Sequence, residues 1–169
     1  AEEPVIKGKD AVIENRFFRL EVDASRGGSI VSLYDKAHKR ELIDKAAPAP
    51  ANTVYVMKEI HDRMETQHEL YTTGHKLLSS EYEAEVRSEK CSLYQKLYIR
   101  VKLDTVAVLL QEITLYKNAD TVDFITKVED YQAEDDLFSV TFPMDSCDVY
   151  ISLKFTGAIY GGNENDKDA

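Results

Sequence analysis

Along much of this chain every second residue is apolar, and that rhythm restricts what it can fold into. Leu97, Ile99, Val101 and Leu103 alternate with Tyr98, Arg100 and Lys102. Tyr82, Ala84 and Val86 alternate with Glu81, Glu83 and Glu85, and Phe18, Leu20 and Val22 with Arg19 and Glu21. Val149, Ile151, Leu153 and Phe155 repeat the pattern against Tyr150, Ser152 and Lys154. Successive side chains of a strand point to opposite faces, so each segment offers one face to a core and one to water. Antiparallel sheets tolerate a solvated face; parallel sheets rarely do.

The segments between these runs are turns. Asp23–Gly28 separates the strand ending at Val22 from one starting near Ser29, and its paired glycines supply positive φ angles for a tight reversal. Lys36–Arg40 separates Ile30–Asp35 from Glu41–Asp44, and Lys117–Asp120 separates Val106–Tyr116 from Thr121–Tyr131. Ala46–Asn52, with Pro48 and Pro50, reads as a loop because proline removes ladder donors. His61–Leu70 is charged and lacks β-branched residues apart from Thr66; it reads as one or two helical turns or an ordered loop. The expected fold is an all-β antiparallel β-sandwich with at most short helical turns, covering residues 1–162. The acidic tail 163–169 has no apolar anchor and is expected to fray.

Bulk properties narrow the partners. A formal charge of −10 without a basic cluster repels phosphate backbones, so nucleic acid is not an expected partner. The longest apolar run, Val106–Leu110, is too short to span a bilayer, and no cationic stretch leads into an apolar core at the start. The first residue is Ala1, which reads as processing or as a cut from a longer protein. Cys91 and Cys147 stand far apart, outside any Cys-x-x-Cys pair, and read as reduced thiols of a cytoplasmic protein.

Little of the chemistry is specific. There is no glycine-rich phosphate loop and no glycine-flanked nucleophilic serine. His61, Glu65 and His68 would share one helical face, but their spacing is not the His-Glu-x-x-His that brings two imidazoles to one zinc. A solvated charged face is the simpler reading for them, and surface imidazoles for His38 and His75. Carboxylate pairs serve glycoside hydrolysis, and Asp35, Glu41 and Asp44 form one cluster while Asp130, Glu134, Asp135 and Asp136 form another. Solvation and turn formation account for both. Tyr34, Tyr71, Tyr94, Tyr116, Tyr131 and Tyr160 are candidates for a sugar-stacking platform, although tyrosine is common in half-buried strands.

One stretch is more distinctive. Ile13-Glu14-Asn15-Arg16-Phe17-Phe18-Arg19-Leu20-Glu21-Val22 runs into Gly27-Gly28-Ser29-Ile30-Val31-Ser32-Leu33-Tyr34-Asp35-Lys36, then Arg40-Glu41-Leu42-Ile43-Asp44. Downstream, Gln111–Asn118 precedes Val122-Asp123-Phe124 and the acidic–aromatic ending Asp130-Tyr131, and Phe142-Pro143 closes the series. In order and spacing this resembles the C-terminal β region of family 38 glycoside hydrolases, the α-mannosidase family, and more loosely the supersandwich domains of the galactose-mutarotase-like superfamily. The likeness spans roughly residues 12 to 160, and Tyr131 stands where that family usually has tryptophan.

The resemblance implies a noncatalytic sandwich beside an N-terminal catalytic barrel. Zinc and a nucleophilic aspartate would lie in that barrel, acting on a carbohydrate substrate. It transfers no catalytic, cofactor-binding or metal-ligating residue to this chain. A domain of that kind exposes apolar surface when alone, so self-association is expected. A freestanding carbohydrate-binding module and a small mutarotase-like enzyme are the rival readings.

Overall fold

The computed structural model describes residues 6–7, 11–60, 71–134 and 136–145. These form twelve strands: β1 (Ile6–Lys7), β2 (Ala11–Glu14), β3 (Phe18–Asp23), β4 (Ser29–Asp35), β5 (Arg40–Glu41), β6 (Thr53–Ile60), β7 (Tyr71–Leu78), β8 (Ala84–Lys90), β9 (Tyr94–Leu103), β10 (Ala107–Tyr116), β11 (Val122–Glu129) and β12 (Asp136–Thr141). The only helical pieces among the described residues are two 3-10 turns, Ala24–Arg26 and Ser79–Glu81. Every strand pairing is antiparallel. The all-β antiparallel sandwich expected from the alternation is therefore what the chain forms.

One sheet runs β1-β8-β9-β10-β11. A four-stranded sheet, β2-β3-β4-β5, and a three-stranded sheet, β12-β6-β7, make up the other side. The bridges Ile30–Ala51 and Ile43–Met144 link these two smaller sheets. The Ile30 amide donates to the Ala51 carbonyl at 2.8 Å, and the Asp145 amide to that of Leu42 at 2.8 Å. Inward-facing Leu20, Val22, Ile30, Val54 and Val56 meet Val86, Leu97, Ile99, Val101, Leu109 and Ile113 in one core. Each such side chain removed from water contributes roughly 1.5–3 kcal/mol before entropy is counted.

The expected strands are found with small shifts. The strand expected from Tyr82 starts at Ala84, because Ser79–Glu81 first completes a 3-10 turn. The one expected to reach Tyr131 ends at Glu129, where Asp130 takes φ 49°. The second strand of the 30–44 hairpin is shorter than expected, two residues followed by the single bridge at Ile43. The strand reading of Val149–Phe155, the His61–Leu70 segment and the 163–169 tail lie outside the described residues.

Gly27 and Gly28 do more than reverse the chain. Both have positive φ, 67° and 65°. A Cβ on Gly28 would stand 2.4 Å from Ile99 Cγ2, and one on Gly27 would stand 2.1 Å from the Ser79 carbonyl oxygen. The bare backbone lets this turn press against β9 and the Ser79–Glu81 turn, which closes one end of the sandwich.

Candidate functional site

The alternation that buries Leu97, Ile99 and Val101 sends Tyr94, Lys96, Tyr98 and Arg100 to the outer face of the five-stranded sheet. Register places Tyr98 between Arg87 on β8 and Glu112 on β10, and Lys96 between Glu89 and Thr114. The side chains interlock. Tyr94 and Tyr98 both donate to the Glu89 carboxylate, at 2.6 and 2.7 Å. Lys96 Nζ donates to Glu112 at 3.0 Å and lies over both phenol rings, 5.7 and 5.4 Å from their centroids. The Lys127 ammonium stands 3.9 Å from the other oxygen of Glu112. A shallow cavity of about 470 Å³ opens here, walled by Glu85, Arg87, Glu89, Tyr98, Arg100 and Lys127 among others.

The charges of this face are mutually fixed. The Tyr94 and Tyr98 hydrogen bonds hold the Glu89 carboxyl below its ordinary value. That same carboxylate pushes both phenols up to about 12. The hydrogen bond to Glu112 raises the Lys96 ammonium. Glu89 is thus an ionised acceptor at neutral pH, not a proton donor. Oriented phenols, a carboxylate and a lysine can hold a polar ligand, but they do not supply the raised-pKa general acid that glycoside hydrolysis uses.

The sequence-derived acid clusters serve the scaffold. Glu41 Oε1 accepts from the amides of Leu33, Leu42 and Ile43 at 2.7, 3.1 and 3.2 Å, and its second oxygen accepts from Ser32 Oγ at 2.7 Å. Burial raises this carboxyl, but the Ser32, Leu33, Ile43 and Lys45 donors outweigh it and the net shift is downward. Asp35, itself buried, accepts from the Ala37 and His38 amides and pairs with His38 Nδ1 at 2.6 Å. Burial again raises the group, and the His38 and Ala37 contacts bring it below its usual value. Asp44 accepts from the Ala46 amide at 2.9 Å. These are turn caps.

Asp130 occupies a left-handed turn position, and the Glu134 carbonyl oxygen accepts from Lys58 Nζ at 2.7 Å. Asp135 lies outside the described residues, while the Asp136 amide donates to the Tyr131 hydroxyl at 3.2 Å. His61, Glu65, His68, Cys147 and Tyr160 also lie outside the described residues. Tyr71 and His75 fall on β7, where the structure describes only the backbone. Among the described residues, no three His, Cys, Asp or Glu side chains come together in a way that would hold a metal ion.

Of the tyrosines, Tyr94 and Tyr116 meet edge to face at 6.4 Å, and Tyr131 packs on Phe138 at 5.5 Å. Tyr34 is exposed on β4, on the opposite side of the sandwich. The residues that sequence reasoning missed are Glu89, Lys96, Tyr98 and Glu112. The parity that Lys96 and Tyr98 share with Tyr94 was visible, but register across three strands was needed to see Glu89 and Glu112 meet them.

The distinctive stretch proves to be a set of clamps. Asn15 Oδ1 accepts from the Phe17 and Phe18 amides, and its Nδ2 donates to the Tyr116 and Ala119 carbonyls at 2.7 and 3.1 Å. Lys36 Nζ donates to the Asn15 carbonyl at 2.6 Å and pairs with Glu14 at 3.0 Å. Residues 13–159 match the glycosyl hydrolases family 38 C-terminal domain. The chain belongs to this family. No curated protein matches it. Family 38 membership agrees with the likeness seen in the motifs, whose residues Asn15, Asp35, Lys36 and Glu41 here bind turns and backbone groups of the sandwich. Among the described residues no helix is long and apolar enough to cross a membrane.

Proposed function

We propose that this chain is the noncatalytic C-terminal β-sandwich of a longer glycoside hydrolase of α-mannosidase type, with the domain running over residues 1–162 and 163–169 as its tail. The catalytic barrel lies elsewhere in the polypeptide and holds the zinc ion and the nucleophilic aspartate, while this domain braces it. The observation that carries the reading is the fate of the motif acids: Asp35 and Glu41 spend their oxygens on backbone amides and turn contacts, so neither is available for chemistry. The exposed Cys91 thiol suits a reducing compartment, so we place the protein in the cytoplasm.

The test is hydrolysis of aryl α-mannosides by the purified chain with and without added zinc, beside the full reading frame that contains it. Turnover by the longer protein alone is the expected result. Turnover by this chain unaided would overturn the proposal.

A second reading draws on the Tyr94–Tyr98 face. Its cavity is of ligand-binding size, and ring edges beside a fixed carboxylate suit a pyranoside. In this reading the domain also holds substrate glycan. Titration with methyl α-mannoside and mannobiose checks it, with saturable binding abolished by Tyr98→Ala as the expected outcome.

A further inference from the structure

The hairpin tips of the sandwich separate by charge. Turns 15–17, 36–39, 91–93 and 117–120 gather at one pole, held there by the Asn15 side chain on Tyr116 and Ala119 and by the Lys117 amide on the Leu93 carbonyl at 2.8 Å. Arg16, Lys36, Lys39, Arg40, Lys90 and Lys117 cluster at this pole, against Glu14, Asp35, Glu41, Glu89 and Asp120. The opposite pole carries Asp23, Glu81, Glu83, Asp104, Asp130 and Glu134, with Arg26, Lys58 and Lys102. The two poles thus differ in sign although the whole chain is at −10.

A cavity of about 380 Å³ opens at the basic pole, with Arg16, Lys90 and Lys117 in its wall. Glu14 is the one carboxylate lining it, and Lys36 already pairs with that group. Among the described residues, Arg16, Lys90 and Lys117 have no ion pair, in a chain whose acids outnumber its bases 31 to 21. All three are exposed, so each is hydrated when the cavity is empty, and an oxyanion entering there would meet three cations and one carboxylate.

The wall is also preorganised. Arg16 lies over the Phe17 ring at 4.4 Å. The Cys91 amide closes the 91–94 turn on the Tyr94 carbonyl at 2.9 Å, and Gln95 Nε2 donates to the Glu14 carbonyl. Arginine offers a planar fork matched to oxyanions, and lysines add point charges beside it.

We infer that the basic-pole cavity bounded by Arg16, Lys90 and Lys117 binds the oxyanion of a small phosphorylated or carboxylated molecule. The inference is independent of the parent enzyme's reaction, because it uses neither Asp35 nor Glu41.

The experiment is an amide NMR titration of the full chain at constant ionic strength, with sodium phosphate, with glucuronate and with methyl α-mannoside. Saturable shifts at Ser92, Lys117 and Asn118 are expected with phosphate or glucuronate. The arm that saturates at lower concentration names the anion. The pair Lys90→Ala, Lys117→Ala should raise the half-saturation concentration about tenfold or more, since it removes two charge-assisted contacts to the oxyanion. Lys102→Ala, toward the other pole, should leave it unchanged. Shifts that never saturate, that survive the double substitution, that weaken equally in Lys102→Ala, or that follow only the uncharged mannoside would overturn the assignment.

Discussion

Gln111 reaches inward from β10 and donates through Nε2 to the backbone carbonyl of Asn52, 3.2 Å away, where both residues are only 1% exposed. The same nitrogen donates to Thr126 Oγ1 at 3.3 Å, while Gln111 Oε1 and Asn52 Nδ2 find no partner among the described residues. Gln111→Ala removes the link, leaves the Asn52 carbonyl short of a donor and opens a void, so a loss of about 2–4 kcal/mol is expected. Gln111→Leu also takes the donor from the Asn52 carbonyl, but it fills the space and removes the unpaired oxygen, so its loss should be smaller, about 1–2 kcal/mol. Urea midpoints of the two variants check the order.

Gly28→Ala combines a left-handed φ of 65° with a Cβ 2.4 Å from Ile99 Cγ2. Gly74, at φ 91°, would place a Cβ in open space. Gly74→Ala should therefore cost only the backbone term, about 1–2 kcal/mol, whereas Gly28→Ala must also displace Ile99 and should cost at least about 1 kcal/mol more. Thermal unfolding of the two variants measures the difference.

Acid should unfold this domain through Glu41 and Asp35. Both folded-state values are lowered, so their stabilisation is fully present above the unfolded carboxyl pKa, near about 4, and is lost as pH falls through the lower folded values. Glu41→Gln cannot ionise, so the slope of stability against pH below about 4 should flatten. Urea midpoints between pH 7 and pH 3 test this.

The outer-face tyrosines give an alkaline signature. Tyr94 and Tyr98 are pushed up to about 12, each chiefly by its hydrogen bond to Glu89, and Tyr82 rises to about 12 through burial and its contact with Asp104. The stabilisation linked to these phenols is present below about pH 10 and fades as pH climbs toward the folded values. Phenolate absorbance should show a late-titrating group of tyrosines, and Glu89→Gln should return Tyr94 and Tyr98 toward ordinary behaviour.

Self-association of the isolated chain is expected through β11, the last strand of the five-stranded sheet among the described residues. Ile125 and Val128 remain 47% and 39% exposed on it. Light scattering should show concentration-dependent growth in mass, and Ile125→Lys should suppress it.

How legible the chain was depends on the range of the forces involved. The strands around Leu20 and Ile99 were visible because period-two burial is written into neighbouring residues. The strands β6 and β7 carried no such rhythm: Thr53–Ile60 pairs β12 across some eighty residues, and register shifts on the β7 side break the alternation. Asp35 and Glu41 read in sequence as turn-forming acids and are turn caps, although which amides each would receive depends on turn geometry that composition does not encode. The Glu89–Tyr98–Lys96 cluster was hidden for a related reason: Glu89 and Tyr98 lie on neighbouring strands, Glu112 on a third, and the cavity wall draws on β8, β9, β10 and β11.

The four hydrogen bonds of Asn15 have a mechanical consequence. One amide side chain spans the β2–β3 and β10–β11 turns, so the two layers cannot slide past each other at that pole without breaking it. A neighbouring domain seated on that pole would meet a stiff floor, and movement imposed there would pass through the sandwich as rotation of the whole body.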